Sequence, residues 1–268
     1  HPFYKLYMSI ITLTTDLGTK DHYVAIIKGE IYNQIKDINI VDISNDISKF
    51  DIQEAAFVFK NCYKNFPDGT VHIIGVNEEL SNEIQHLAIQ TDNHFIIGPD
   101  NGIFSLIFDE ILPEKIVELN IPLESDILTF AIKDVFIKAA CHFIRGGTIE
   151  MIGNPVSEFH NKVQRLNPVI SNNSIRGNIM HIDSYGNATT NISKNLFNKI
   201  CRERDFDILY GKETEKISKI VTKYKDVDEG ERLAIFSNNQ SLEIAINQGK
   251  ANELLGLNMY DIIRIEFK

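Results

Sequence analysis

Short β-branched runs alternate with segments of helical apolar spacing through the first half of this 268-residue chain. "IITLT" and "INIVDI" read as strands, and between them Val24, Ile27 and Ile31 recur at helical spacing behind Asp21, an acid suited to a helix N-cap or first turn. "DIQEAAFVFKNCY" is a second helix with Asp51 at its start, and "FPDGTVHIIGV" is a turn leading into a third strand. Strands in this rhythm are joined by crossover helices, so the arrangement predicts βαβ units around a mainly parallel sheet.

Further along, "HLAIQT" and "HFIIGP" form a hairpin around Asp92-Asn93, "KIVELN" is another strand, and "KDVFIKAACHFIRGG" is a helix stopped by two glycines. The pattern changes at "GNPVSEFHNKVQRLNPVI", whose polar residues and prolines read as a linker. Beyond it lie short strand-like runs, "IRGNIMHID", "ISKIVT", "RLAIFS", "SLEIAI" and "DIIRIEF", with short helices at "ISKNLFNKI" and "KANELL". The expected organisation is an α/β domain over 8–153, a linker over 154–167 and a smaller β-rich, barrel- or sandwich-like domain over 168–268.

A net charge of -10 with no basic cluster argues against nucleic acid or an anionic membrane as the partner. No apolar run reaches the ~18–20 residues of a membrane span. Cys62, Cys141 and Cys201 are odd in number and scattered, which fits a reducing, cytoplasmic compartment and small buried or half-buried side chains. "HPFYKLY" lacks the cationic and apolar regions of a signal peptide, and Met8 reads as a start. His72, alternating within a strand, and His142, on an apolar helix, read as packing histidines. There is no metal-ligand spacing, no Walker loop and no Gly-x-Gly-x-x-Gly, which points away from metal, nucleoside-triphosphate and dinucleotide chemistry.

The strand ends are where polar residues gather. Ligands of open α/β sheets bind at the carboxyl ends of strands, and Asp16 stands at the first such end, with Asp21 five residues on. A carboxylate there can accept both hydroxyls of a ribose, and a second can meet an ammonium; each can equally close a turn or cap a helix. "VDISNDISKFD" ends the second strand with polar residues and Phe50, "IIGPDNGIFS" follows a strand with Pro-Asp-Asn-Gly, and "HIDSYGNATTNIS" places Asp183, Tyr185 and Asn187 after a strand in the second half. An aromatic, a carboxylate and an amide are the groups an adenosine pocket uses.

These motifs, with "TTDLGTKDHYVAIIKGEI", "FPDGTVHI", "TFAIKDVF" and "SLEIAINQGKANELLGL", resemble in order and spacing the S-adenosylmethionine hydrolases (hydroxide adenosyltransferases), relatives of the fluorinases and chlorinases. The resemblance runs from Met8 to Phe267. It implies an α/β N-terminal and a β-barrel-like C-terminal domain, a homotrimer with sites between neighbouring subunits, and no cofactor. It implies that Asp16 holds the ribose hydroxyls, and that Asp21 and Asp183 meet the methionine amine. Tyr23 stands where a small hydroxyl residue is usual. Phe50 lies beside the adenosyl group, Tyr185 stacks on adenine and Asn187 bonds to it. Asn238 and Asn239 fall near the methionine carboxylate contacts, and Ile246, Asn247 and Gln248 in the segment whose backbone reads the adenine edge, this second-domain set coming from a neighbour.

The resemblance fails at the nucleophile. The hydrolases are thought to hold their water with an Asp-Arg-His set; here Asn77 takes the aspartate's place, Ile84 and Gln85 the arginines', and Ala131 the histidine's, with Ile132 beside it. The halogenases' Tyr, Thr and Ser are likewise replaced, by Asn77, Leu80 and Ile132. Three readings stay open: adenosyl transfer to water using substitutes such as Glu78, Glu79 or His86, transfer to another nucleophile, and a non-catalytic protein that binds S-adenosylmethionine or adenosine.

Overall fold

The computed structural model describes residues 9–81, 83–108, 111–122, 130–211 and 216–268. Residues 1–7, Met8 and Thr129 of the "TFAIKDVF" motif lie outside the described residues. The chain divides into two compact units that meet between Gln164 and Arg165.

The first unit contains β1 (Ile10–Thr15), α1 (Tyr23–Gln34), β2 (Asn39–Ser44), α2 (Ile52–Lys60), β3 (Val71–Gly75), β4 (His86–Thr91), β5 (His94–Pro99), α3 (Ile103–Ile107), β6 (Lys115–Leu119), α4 (Ile137–Ile144) and β7 (Gly153–Pro155). Its seven strands form one sheet in the order β2-β1-β3-β5-β4-β6-β7. The β2-β1-β3-β5 half is parallel, and the rest is antiparallel. The sheet is therefore mixed, and the reason is local. Asp92 and Asn93 both take left-handed backbone (φ 49° and 61°), the geometry of a tight hairpin, so β5 follows β4 without a crossover.

Successive strand residues feed opposite faces. Ile73, Ala88 and Ile97 pack with α1 and α4, whereas Ile74, Ile89 and Ile96 pack with α2 and α3. All six residues of β1 are buried, as a central strand covered on both faces requires. Asp51 caps α2, its carboxylate accepting from the Gln53 and Glu54 amides at 3.0 and 2.9 Å. Asp21 does not cap α1. The helix begins at Tyr23 behind a His22 already in helical geometry, and no acid occupies its first turn. Asp21 itself is exposed. The segment expected as a linker stays with the first unit as far as Gln164: β7 pairs with β6, Phe159 is buried with Phe104, and Asp100 accepts from the His160 amide at 2.8 Å.

The second unit holds β8 (Val169–Ile170), β9 (Ser174–Ile182), β10 (Ala188–Ser193), α5 (Lys194–Cys201), β11 (Phe206–Leu209), β12 (Lys216–Ile217), β13 (Ile220–Val221), β14 (Arg232–Phe236), β15 (Ser241–Ile246), α6 (Ala251–Leu255) and β16 (Ile262–Phe267). The strand path is β12-β11-β16-β9-β10-β15-β14-β13, with β8 on β9. The two edge strands of that path, β12 and β13, are separated in sequence only by Ser218 and Lys219. The three Cα steps from Ile217 to Ile220 span at most about 11 Å, so the sheet must curl until its edges nearly meet, as a barrel does. Among the described residues no helix is long and apolar enough to cross a membrane.

Candidate functional site

The chain leaves β1 for β2 on one side, while β3 lies on β1's other side. A crevice opens above such a reversal in strand order. Asp16 follows β1, Asn45 follows β2, and Val76, Asn77 and Glu78 follow β3, so all stand on one edge of the parallel half.

Asp16 is only 6% exposed. Its Oδ2 accepts the Phe50 amide at 2.8 Å, and its own carbonyl accepts from Lys49 Nζ. Phe50 needs that anchor. Its φ of 64° is costly for a bulky L-residue, yet its ring is 69% exposed. The carboxylate thus fixes a strained residue that presents an aromatic ring at the strand ends, and among the described residues Asp16 Oδ1 takes no hydrogen bond. Beside it, Thr15 Oγ1 donates to Asn45 Oδ1 at 2.8 Å, and the Gly18 amide donates to the Asn45 carbonyl at 2.6 Å. Tyr23 is 41% exposed and meets Phe130 edge-on at 5.7 Å.

The loop after β3 is braced at three successive carbonyls. Asn101 Nδ2 donates to Val76 O at 2.9 Å and to Asn77 O at 3.0 Å, and His86 Nε2 binds Glu78 O at 2.8 Å. Asn77 is exposed, in left-handed backbone with φ 49°. Glu78 is half-buried. Burial pushes its carboxyl above the usual range, a hydrogen bond from its own backbone amide opposes this, and the nearby charges of Asp16 and Glu79 push it up again. His86 is buried, its edge against Phe136 at 4.8 Å, and burial lowers its basicity. Ile84 is half-buried in a turn closed by Ser81. Ala131 and Ile132 belong to the apolar core, at 5% and 0% exposure. A Cβ on Gly75 would lie 2.2 Å from Ile132 Cδ1, so glycine is what admits Ile132 against the end of β3.

In the second unit Asp183 organises a turn. Its Oδ1 accepts the Tyr185 and Asn187 amides, both at 2.9 Å, and its Oδ2 accepts Asn187 Nδ2 at 3.1 Å. Gly186 takes φ 83°, and a Cβ there would lie 2.4 Å from Asn252 Oδ1. The turn leaves Tyr185 77% exposed over a cavity of about 710 Å³ lined also by Asn187, Tyr224, Gln248 and Lys250. Behind it, Tyr224 donates to buried Glu243 at 2.7 Å. Burial raises the Glu243 carboxyl, Tyr224 offsets this in part, and the charge of Asp183 raises it again.

The structure therefore groups Asp16, Phe50 and Glu78 on one edge and Asp183, Tyr185 and Asn187 in one pocket. It does not bring Asn238 and Asn239 to that pocket. They sit in the β14–β15 turn, while Ile246 and Gln248 lie at the other end of β15, about 17–20 Å away for six residues. Asn239 Oδ1 is spent on Ser237 Oγ and the Ser241 amide at 2.7 and 3.0 Å. Asn247 turns its amide to Val227 O at 2.8 Å and does not line the cavity. Sequence reasoning assigned no role to Lys49, Asn101, Tyr224, Glu243 or Lys250, although Lys49 and Asn101 stand in the strand-end motifs and Glu243 is an acid within an apolar strand. Among the described residues no group of three or more His, Cys, Asp or Glu side chains is placed to hold a metal ion.

Family profiles match both units: SAM hydroxide adenosyltransferase N-terminal domain over residues 11–153, and SAM hydroxide adenosyltransferase C-terminal domain over residues 177–264. The chain is 27% identical over 266 residues to the (R)-S-adenosyl-L-methionine hydrolase of Methanocaldococcus jannaschii, covering 96% of each chain. It is 25% identical over 260 residues to that of Thermus thermophilus, covering 93% of this chain and 96% of the other. Among solved structures, an uncharacterized conserved protein from Thermotoga maritima superposes with a TM-score of 0.86 at 27% identity, covering 96% of this chain and 99% of that one.

Proposed function

The chain belongs to the SAM hydroxide adenosyltransferase family, and from this we propose that it binds S-adenosylmethionine and transfers the adenosyl group to water, giving adenosine and methionine. The observation that carries the binding half is Asp16, a buried carboxylate at a strand-order reversal with one oxygen still available. A ribose offers two adjacent hydroxyl donors to such an acceptor. Phe50 flanks the adenosyl group, and exposed Asp21 meets the methionine ammonium together with Asp183. Tyr185 stacks on adenine and Asn187 bonds to it. The reading assigns no ligand contact to Asn238 or to Asn239, whose side-chain oxygen shapes the β14–β15 turn, and leaves the adenine edge to the backbone of the segment around Asn247. The two sets of residues belong to different compact units, and a homotrimer in which a neighbour supplies the second set unites them. Three free cysteines suit a reducing, cytoplasmic location.

The sulfonium is a good leaving group, so most of the task is to position a water behind the 5′ carbon and exclude other waters. A second reading, a non-catalytic protein that binds an adenosyl ligand, draws on one observation: Ala131 and Ile132 place hydrocarbon where relatives of this type are expected to hold water. One experiment separates the two. Purified protein is incubated with S-adenosylmethionine, with and without halide, products are resolved by chromatography, and binding is titrated by calorimetry. Adenosine and methionine in equal amounts support transfer to water. Micromolar binding without product supports the second reading, and no binding removes both.

A further inference from the structure

We propose that Glu78 takes the proton of the attacking water, and that His86 and Asn101 are its positioning residues. The inference rests on the adenosyl-transfer reading above and extends it to a residue for the chemistry. At the edge shared by β1 and β3 the candidate proton acceptors are few. Asp16 is committed to the Phe50 amide and, in that reading, to the ribose. Asn77 is an amide and takes up no proton near neutral pH. His86 is buried and spends Nε2 on the Glu78 carbonyl. Glu79 is exposed, one residue further from the strand. Glu78 is half-buried and close enough to Asp16 for their charges to interact.

Its placement is held from outside the loop. Asn101, after β5, ties the carbonyls of Val76 and Asn77, and His86, from β4, ties that of Glu78. Asn101 is itself fixed, its Oδ1 accepting the Ile103 amide at 3.2 Å. A loop without shaping glycines is thus rigid through side chains of neighbouring strands. The charged groups facing Glu78 are Asp16 and Glu79, and burial lowers the basicity of His86 behind its backbone. Burial and these like charges raise the Glu78 carboxyl against the opposing hydrogen bond of its own backbone amide, and the net rise brings a base closer to working pH. In the step, a lone pair of the water oxygen forms the bond to C5′. The C5′–S bond breaks with its electron pair going to sulfur, which leaves as the neutral thioether of methionine. The water proton passes to the Glu78 carboxylate and then to solvent, so one proton is released per turnover.

The test is steady-state adenosine formation from S-adenosylmethionine between pH 5 and 9 for the full chain, Glu78→Gln and Glu78→Asp, with calorimetry on each. The expected result is a loss of roughly 10²–10⁴-fold in kcat for Glu78→Gln. KM and Kd should stay within about threefold, and the acid limb of the profile should disappear. Glu78→Asp should recover part of the rate with a shifted acid limb, which reads the same role if the glutamine variant folds poorly. Glu78→Gln with an unchanged kcat, or with a higher KM alone, overturns the proposal while leaving the hydrolase reading intact. Unmodified protein that binds S-adenosylmethionine yet forms no adenosine overturns the hydrolase reading and Glu78's role together.

Discussion

Acid should unfold the first unit through His72, and the size of the effect follows from its surroundings. His72 is fully buried; its Nδ1 lies 2.7 Å from Thr12 Oγ1 and its Nε2 lies 3.2 Å from His94 Nδ1. Phe59, Tyr63 and Phe66 surround the ring edge-on. Burial, and to a lesser degree the neighbouring His94, lower its pKa to about 3. His94 shifts down too, chiefly by burial, with Asp68 and Asp92 opposing and Lys64 adding to the shift. In the unfolded chain a histidine titrates near 6.5. Above that pH both states are neutral and His72 adds no pH dependence. As pH falls below 6.5 the unfolded state binds a proton that the folded state refuses until about pH 3, so stability drops with falling pH. Between pH 7.5 and pH 4 the loss amounts to about 3 kcal/mol, at a slope approaching about 1.4 kcal/mol per pH unit. The assay is urea unfolding of the full chain and of His72→Gln across this range, following the transition of the first unit. The glutamine variant should be less stable at pH 7.5 but should show a slope shallower by about one proton. Parallel pH dependences for the two proteins, or a His72 ring resonance titrating near 6.5 in the folded state, would refute the reasoning.

Three further outcomes are expected. Asp16→Ala should weaken S-adenosylmethionine binding by about 1.5–3 kcal/mol, the worth of hydrogen bonds to a charged acceptor, measured by calorimetry on protein whose folding is checked by circular dichroism. Gly186→Ala combines φ 83° with a Cβ that would lie 2.4 Å from Asn252 Oδ1; it should cost about 1–3 kcal/mol in thermal stability and displace Tyr185, with wild-type melting counting against the account of that turn. The unmodified protein should scatter light as a trimer at micromolar concentration, and a monomer that still binds S-adenosylmethionine would contradict the shared site.

Much of this was legible in the residues because local signals and tertiary outcome agree. β1 is β-branched and wholly buried, Val24, Ile27 and Ile31 face the core of α1, and Asp51 caps α2. Asp21 misled as a cap because an acid before a helix signals a cap only if the backbone between them lets it reach the first amides; here His22 intervenes. The separation of Asn238 from the Asp183 pocket depends on which end of β15 each turn occupies, a matter of register that the motif order does not carry. The loop after β3 was the least readable part. "NEEL" offers adjacent acids with no periodicity, and what distinguishes Glu78 is a histidine 8 residues on and an asparagine 25 residues beyond Val76, joined only by folding.

The position of Glu78 relative to the scissile bond decides what its charge can do. In an in-line displacement positive charge leaves sulfur and appears on the attacking oxygen, on the opposite side of C5′. A carboxylate beside the sulfonium would hold the substrate more tightly than the transition state and would slow the step; one beside the oxygen would gain interaction as the reaction proceeds. At an effective dielectric of 20, a unit charge moving from about 8 Å to about 4 Å from a carboxylate gains roughly 2 kcal/mol, before any proton is transferred. Since Ala131 and Ile132 supply hydrocarbon at that end of the sheet, they offer the oxygen no competing hydrogen bond, and Glu78 carries this stabilisation without them. Removing its charge therefore distinguishes the two sides. Loss in kcat with KM held places Glu78 behind C5′, whereas a raised KM together with a raised kcat places it beside sulfur, where it would act as a binding group only.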